Sequence, residues 1–449
     1  MMSTSKFTIG ILASLLVVVP IIYKSIDKSQ KYEENENQQN EGSLKVLSYN
    51  IAGLWEIISE SNPKKYIKQI SPKLNSYDIV NIQENFAYNK ELNSQLKFKY
   101  KTEYTGNPPF GDGLMTLSKY PIYNYDRIEW DKIYGWDSAS RKGFTFTSIE
   151  IKKGYFIDIY NLHGDAFDDK KSIEGRNSNL AQISKYIQGI SEGKAVIVFG
   201  DTNTLYTHGF DKVYELLLKP CNLKDAWVEK IMDGKYPEKG PDLDVEKLGQ
   251  KGEVWDKIFY RSGKNVEIEA TSFETLLKEF TDEDGNQLSD HYPVTSTIRY
   301  KLIEGILLSD LYGQSKGEGF SFIEKMDGKK PLSIIISSDN KKINKVGFKY
   351  KDNGIVTTSG NKGKEKVYEF KDGEYITEMN ICKDRKTLIS PYYISYIKLT
   401  TNLNNIISAG KSNLFNKKTF KAPEGYSIAG FIGYSNDAIN KLGCVYQKI

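Results

Sequence analysis

Two histidines and a handful of carboxylates carry the chemistry this sequence can do. The 449-residue chain has only three histidines, His163, His208 and His291. Imidazole is the side chain that most readily exchanges a proton near neutral pH, so the search for an acid–base centre narrows to these. His291 stands beside Asp290 in Leu288-Ser289-Asp290-His291-Tyr292-Pro293-Val294, at the start of an apolar run, and His163 closes Asn161-Leu162-His163. Asn50, Glu84, Asp201 and Asn203 also stand at the edges of apolar segments, and Asp256 lies inside one. Strand ends gather at one edge of a layered sheet protein, so these groups can converge on one pocket. The set suits phosphoester hydrolysis. A hard divalent cation takes oxygen ligands, which Glu84 with Asn50 can supply while leaving positions for water and phosphate. One histidine can activate water, and a second can donate a hydrogen bond to the phosphoryl group or the leaving oxygen. Asp256 can hold the basic imidazole in the required tautomer. The chain has no Cys/His cluster for zinc, no P-loop and no serine-nucleophile elbow. His208 fits none of these patterns and reads as a surface or helix-capping residue. Asp165, two residues past His163, reads as a loop residue.

The elements that must position these groups follow from periodicity. Segments 44–50, 78–84, 113–118, 143–151, 155–162, 195–199, 254–260 and 294–300 read as strands. Asn62-Pro63 reads as a cap and first position of a helix running towards residue 74. Leu180, Ile183, Ile187 and Ile190 keep a helical period over about 171–190, and another helix fits 211–218. This alternation predicts a layered α/β domain over 44–301. After residue 305 short strand-like segments separated by Gly, Asn and Lys predict an all-β domain over 306–449.

Residues 7–22 are a run of 16 uncharged residues behind Lys6, so 1–23 reads as a signal peptide or a membrane anchor. Residues 24–43, rich in Glu, Asn, Gln and Lys, read as a flexible linker. Both readings make the protein secreted or membrane-anchored, and the flanking lysines leave orientation open. With 62 basic and 58 acidic residues the net charge is +4, which gives no support for an extended nucleic-acid-binding stripe. Three cysteines make no disulfide framework, although Cys382 and Cys444 can pair.

Six pieces in order resemble the endonuclease/exonuclease/phosphatase superfamily: Ser48-Tyr49-Asn50, Gln83-Glu84, Asn161-Leu162-His163, Gly200-Asp201-Thr202-Asn203, Trp255-Asp256-Lys257-Ile258-Phe259 and Ser289-Asp290-His291. The resemblance implies an α/β four-layer sandwich of two β-sheets flanked by helices. It also implies phosphoester cleavage dependent on Mg²⁺ or another divalent cation. By matching positions it implies Glu84 as metal ligand with Asn50 beside it, and His291 as general base oriented by Asp256. It places His163, Asp201 and Asn203 on the phosphate and the attacking water, and Asp290 near the metal or the base. Gly111-Asp112-Gly113, Leu117-Ser118-Lys119-Tyr120-Pro121-Ile122, Gln83-Glu84-Asn85-Phe86 and Arg141-Lys142-Gly143-Phe144 resemble the sphingomyelinase branch. That branch implies hydrolysis of a phospholipid head group at a membrane, and makes Lys142 a candidate contact for the substrate phosphate. The aromatic loop from Trp130 to Trp136 suits such a substrate. The first alternative is a secreted or membrane-anchored nuclease acting on nucleic acid. The second is a non-catalytic lectin or adhesin on a hydrolase scaffold. Beyond residue 306, Leu311-Tyr312-Gly313, Gly317, Gly319 and Gly430-Phe431-Ile432-Gly433-Tyr434-Ser435 resemble a jacalin-like lectin, an all-β β-prism. That family binds sugar through a Gly-x-x-x-Asp loop. In the register set by Leu442-Gly443 the matching positions are Asn436 and Asn440, which keep an acceptor but lose the charge. Carbohydrate binding by this domain stays open against a structural or membrane-targeting role.

Overall fold

The structure, a computed structural model, describes residues 40–56, 62–339, 341–352, 354–360, 362–413 and 415–449. The segment expected to be a signal or anchor, and the linker up to residue 39, lie outside them. Alternation along the strands decides the layers. Two six-stranded mixed sheets form. The first has the order β11 (Val266–Thr275), β12 (Val294–Leu302), β1 (Glu41–Asn50), β2 (Ile79–Gln83), β4 (Met115–Ser118), β3 (Tyr100–Lys101). The second has the order β5 (Ile122–Glu129), β6 (Gly143–Lys152), β7 (Tyr155–Leu162), β8 (Ala195–Asp201), β10 (Asp256–Arg261), β9 (Lys224–Asp225).

Leu47, Tyr49, Val80 and Ile82 form one buried cluster with Ile67 and Ile70 of α1 (Pro63–Lys73) and Leu92 of α2 (Asn89–Asn93). Leu44, Val46 and Ile79 instead join the core of the second sheet. On β7, Tyr160 and Asp158 face α3 (Lys170–Ile190): the Tyr160 ring lies 6.1 Å from that of Tyr186, and Asp158 accepts from Ser191 Oγ at 2.6 Å. The layers are therefore helices, sheet, sheet and helix. Buried amides join the two sheets. Asn81 Nδ2 donates to the carbonyls of Tyr160 (3.0 Å) and Phe199 (2.9 Å), and Gln83 Nε2 donates to Asn161 Oδ1 (2.7 Å). A satisfied buried network of this kind fixes one sheet on the other.

Strands β5 and β11 lie outside the expected segments, and two expected elements differ in extent or kind. β1 begins at Glu41 rather than at 44, because β12 reaches Leu302 and pairs Glu41 with Lys301. The helix expected over 211–218 is a π-helical turn, Tyr214–Leu218, that runs into a short helical turn, Lys219–Cys221.

Beyond β12 the described chain is strand and loop, apart from one helical turn, Ile323–Met326. One sheet has four strands: β18 (Gly354–Thr357), β17 (Ile343–Tyr350), β16 (Pro331–Ser338) and β19 (Lys364–Glu369). A nine-stranded set accounts for the rest, but β24 (Tyr426–Ser435) and β20 (Ile376–Arg385) share only the pair Ile376↔Ile428. That junction is a fold line. On one side β13 (Ile306–Leu308), β14 (Tyr312–Gly313) and β15 (Glu318–Ser321) extend β24 and β25 (Ile439–Lys448). On the other, β23 (Lys417–Lys421), β21 (Tyr392–Thr401) and β22 (Ile406–Gly410) extend β20. Three faces result, closed over Phe348 and Phe431, whose rings stack 4.9 Å apart, so this half is a β-prism. Cys221, Cys382 and Cys444 are buried free thiols, so the pairing open to Cys382 and Cys444 does not form.

The two halves share one hydrophobic core. At their junction the Tyr434 and Tyr186 hydroxyls hydrogen-bond at 2.5 Å, and they lie 3.0 and 3.1 Å from Asp126 Oδ2, which accepts the proton left over from that pair.

Candidate active site

Strand direction decides where the polar ends meet. β1 and β2 run parallel, so Asn50 and Gln83 end side by side and Glu84 follows. β12 runs antiparallel to β1, with Ser48 opposite Val294, which returns His291 to Asn50. β7 and β8 run parallel and His163 bridges Asp201, while β10 starts at Asp256 directly opposite Asp201. Asn50, Glu84, His163, Asp201, Asp256 and His291 thus meet at one end of the sandwich.

The Asp256–His291 pair has the geometry of an oriented base. His291 Nδ1 lies 2.7 Å from Asp256 Oδ2, and Nε2 faces Asp201 Oδ2 at 3.7 Å and Asn50 Nδ2 at 3.4 Å. Burial alone would lower the His291 pKa, but the carboxylates of Asp201, Asp256 and Asp290 outweigh it and hold it at about 10. Positive charge placed among those carboxylates weakens their pull on the imidazole. His163 is the opposite case. Burial, followed by the Lys142 ammonium, pushes its pKa down to about 3 despite Asp201 and Asp137. It is neutral at pH 7, so it offers a hydrogen bond and has no proton to give up. Its Nε2 lies 3.4 Å from Asp201 Oδ2 and 3.9 Å from Glu84 Oε1, and its carbonyl is held by Trp130 Nε1 at 2.7 Å. Trp130, at one end of the aromatic loop expected to suit a lipid, is therefore a buried support. Asn203, at φ 51°, donates its backbone N–H to Asp201 Oδ1 at 2.9 Å and its Nδ2 to Gly164 O at 3.2 Å.

Replacing Asp256 with Asn keeps the shape but removes the charge that fixes the tautomer. We expect kcat to fall by about 10²–10⁴-fold. Asp256 raises the His291 pKa, so the acid limb of the kcat/KM profile should move to lower pH. An unmoved limb with unchanged kcat would show that the pair does not act together.

Glu84 is the residue that fits a hard cation. It follows β2 at φ 54°, its side chain keeps 21% exposure to solvent, and burial raises its pKa. Asp290, exposed at the mouth, adds its negative field to both Glu84 and His291. Asn50 differs from its expected ligand role. Its Nδ2 donates to Glu84 Oε1 and Asp201 Oδ2, both at 3.1 Å, while its Oδ1 accepts from Ala52 N–H at 3.1 Å. In this orientation it aligns carboxylates and presents no oxygen to a cation. Asp201, Asp256 and His291 also bring donor atoms within 4.8 Å of one another. There, however, Asp256 already occupies His291 Nδ1, and both carboxylates are 1% exposed. Glu84, an oxygen donor that keeps solvent exposure, is the better match for Mg²⁺.

Lys142 is buried rather than solvated. Its Nζ pairs with Asp137 Oδ1 at 2.6 Å, and Asp137 Oδ2 accepts from Ala166 N–H at 2.6 Å. Its field reaches both Glu84 and His163. Nothing in the sequence around Asp137 marks it as the partner. Asp165, fully buried, accepts from Tyr134 N–H at 2.9 Å, and burial raises its pKa to about 7. A Cβ at Gly175 of α3 would sit 2.1 Å from its carboxylate, so the pair is structural packing. His208 is partly exposed, 3.5 Å from Asp211, and lines the same cleft as His291.

A cleft of about 390 Å³ opens beside His291. Trp255, 45% exposed with its ring 5.7 Å from that of His291, forms one wall, and Tyr292 and the 240–246 loop form others. The lining carries Asp242, Asp244, Glu246, Glu253, Asp256 and Asp290 and, among the described residues, no Lys or Arg. In the sequence Trp255 stands out only as the neighbour of Asp256. Strand register puts the loops bearing Phe110, Trp136 and Phe167 at the same end, and these are 73%, 84% and 55% exposed.

Comparison with known proteins adds the following. Residues 30–225 match the model of Endonuclease/Exonuclease/phosphatase family 2, and residues 309–445 match that of the Jacalin-like lectin domain. A sphingomyelinase of Mycobacterium tuberculosis is 36% identical over 269 residues, 58% of this chain and 53% of that protein, so the chain spans about half the length of that relative. Sphingomyelinase C of Bacillus cereus is 23% identical over 218 residues, 44% of this chain and 64% of that protein. A crystal structure of a Staphylococcus aureus beta toxin with bound magnesium ions is 21% identical with a TM-score of 0.41, covering 57% of this chain and 99% of that one. Malaysian banana lectin is 20% identical with a TM-score of 0.28, covering 32% and 100%.

Proposed function

Since residues 30–225 belong to the endonuclease/exonuclease/phosphatase family and residues 309–445 form a jacalin-like lectin domain, we propose that the chain is a divalent-cation-dependent phosphodiesterase that cleaves a phospholipid at its head group. Mg²⁺ held by Glu84 would draw charge from the phosphoryl oxygens. Neutral His291, its Nδ1–H donated to Asp256, takes the proton of the attacking water on Nε2 as that oxygen bonds to phosphorus. The bond from phosphorus to the lipid oxygen breaks, and the leaving oxygen takes its proton from solvent. His163 and Asn203 offer hydrogen bonds to the phosphoryl group, and Asn50 keeps Asp201 and Glu84 in line. Lys142, paired with Asp137, contributes its field rather than a direct contact. The uncharged run at 7–22 supports placing the activity at or beyond a membrane.

The acidic, aromatic cleft beside His291 carries the choice of substrate. Nucleic-acid binding is led by Lys and Arg on phosphates, and the lining offers carboxylates instead. A cationic head group is drawn to such a wall, and a quaternary ammonium favours an aromatic face such as Trp255. The exposed aromatics at the rim suit a lipid interface. The decisive assay pairs sphingomyelin vesicles with plasmid DNA, each with Mg²⁺ and with EDTA. The reading predicts phosphocholine release that EDTA abolishes, with intact DNA. Nicked DNA with untouched vesicles would move the assignment to a nuclease, and no cation-dependent turnover of either would favour a non-catalytic lectin. Trp255→Ala should raise KM for the choline lipid roughly tenfold, with a smaller change in kcat. An unchanged KM would remove Trp255 from head-group binding.

A further inference from the structure

Ile389, 97% exposed, is the most exposed large hydrophobic residue described, and its neighbour Leu388 is 81% exposed. They form the tip of the β20–β21 hairpin, and the turn is well braced. Thr387 and Ser390 hydroxyls meet at 2.6 Å, Ser390 N–H donates to Thr387 O at 3.1 Å, and Arg385 donates to Leu388 O at 2.6 Å. The base is clamped to the first prism face: Tyr392 N–H donates to Gln314 Oε1 at 2.9 Å, and Asn440 Nδ2 donates to Tyr392 O at 3.1 Å. The loop before β23 runs alongside. Lys383 N–H donates to Asn416 O at 3.1 Å, and Phe415 next to it is 78% exposed.

The surrounding charge is mostly positive. Residues 383–390 hold Lys383, Arg385 and Lys386 against Asp384, and residues 411–418 hold Lys411, Lys417 and Lys418, of which Lys418 pairs with Asp310 at 3.1 Å. An apolar tip collared by Lys and Arg matches a lipid surface: the apolar side chains reach the acyl boundary, and the cations stay at the phosphates.

The contacts between the halves give this tip a direction. Ser321 Oγ donates to Glu192 O at 2.7 Å, just past the end of α3, whereas Glu318 pairs with Lys185 at 2.9 Å, two turns back along the helix. β15 therefore runs in the same sense as α3, with Glu318 nearer the start of the helix, which lies seven residues past His163. β24, with Ile432 opposite Ser321 and Ser435 opposite Glu318, heads for that same end. The hairpin base, held by Gln314 and Asn440, lies at that end of β24, and the tip extends past the base. The tip and the catalytic strand ends thus face the same side.

We propose that Leu388, Ile389 and Phe415 form a phospholipid-inserting anchor on the β-prism domain, which holds the catalytic cleft against a bilayer. The purpose of the anchor rests on the phospholipid reading above, but its existence does not. The test uses the full protein, the pair Leu388→Asp and Ile389→Asp together, and Phe415→Asp separately. Binding is measured by co-sedimentation with carbohydrate-free vesicles of phosphatidylcholine, with and without phosphatidylserine. Turnover is measured on sphingomyelin vesicles and on a soluble short-chain phosphocholine diester. The double variant should lose vesicle binding by roughly tenfold or more and vesicle hydrolysis in proportion, with turnover of the soluble diester within about twofold of wild type. Retained vesicle binding in a double variant whose melting curve matches wild type would overturn the anchor. If wild type binds vesicles through the tip but hydrolyses neither substrate, the anchor stands and the catalytic reading fails.

Discussion

His291→Ala should lower kcat by about 10³–10⁴-fold, towards the upper end of what general acid–base catalysis contributes, while the protein stays folded. The imidazole is only 13% exposed, yet its polar contacts are with other site residues, so its loss opens no gap in the hydrophobic core. Its removal leaves Asp256 Oδ2 without a donor in a buried place, a cost of about 1–3 kcal/mol. pH dependence separates this role from a merely structural one. The folded-state pKa of His291 is raised from 6.5 to about 10 without a cation. The stability it contributes is therefore fully present below pH 6.5 and is lost as pH rises through about 10. Thermal melts without cation should show wild type most favoured over His291→Ala in acid and neutral solution, with the difference shrinking towards pH 10. Catalysis runs the other way, because only neutral imidazole accepts a proton. Turnover should rise with pH through the His291 pKa, and the midpoint should fall when Mg²⁺ offsets the neighbouring carboxylates. Near-wild-type turnover in a folded His291→Ala would remove His291 as the base.

The parts of this site that could be read in the sequence are those where polarity conflicts with location. Asn50, Glu84, His163 and Asp201 stand at the edges of runs otherwise given to apolar core, and Asp256 interrupts one. Strand register then does what spacing alone cannot: the antiparallel return of β12 brings His291 to Asn50, 241 positions away. Other features depend on side-chain orientation and have no sequence signal. Asn50 could offer either end of its amide, and only the packing around Ala52 turns the nitrogen towards Glu84. Lys142 looks the same in sequence whether solvated or buried, because its partner Asp137 sits in an unremarkable 3₁₀ turn. The three faces of the prism depend on β24 and β20 meeting at a single pair, a long-range contact that no local pattern encodes. Trp255 was hidden for a related reason. Its neighbour Asp256 explains the motif, and only the 240–246 loop turns the tryptophan into a cleft wall.

Glu84→Gln should separate catalysis from stability. Burial raises the carboxyl pKa, and neither the Asn50 amide nor the Lys142 ammonium fully offsets it. A carboxyl group with a raised folded-state pKa costs nothing below its ordinary pKa, and it costs stability progressively as pH rises from there to the raised value, where the cost is complete. At pH 7 without cation, the Gln variant should therefore melt at or above the wild-type temperature, with the gap closing as pH falls towards 4.5, the ordinary value. Mg²⁺ should reverse the order. An ion that binds only the folded state raises its stability by mass action, about 2.7 kcal/mol at a hundredfold excess over Kd. Wild type should gain that increment and Glu84→Gln should lose most of it, since a neutral amide is a poorer ligand for a hard cation. Turnover at moderate Mg²⁺ should fall by at least about 10²-fold, the scale of losing positioned charge at a reacting phosphoryl group, and should recover partly at high Mg²⁺. A variant that is still stabilised by Mg²⁺ as wild type is, and still turns over, would move the cation to Asp201 and Asp256 and return Glu84 to a structural role. A variant that is unresponsive to Mg²⁺ but fully active would instead remove the cation from the chemistry and leave the Asp256–His291 pair to act alone.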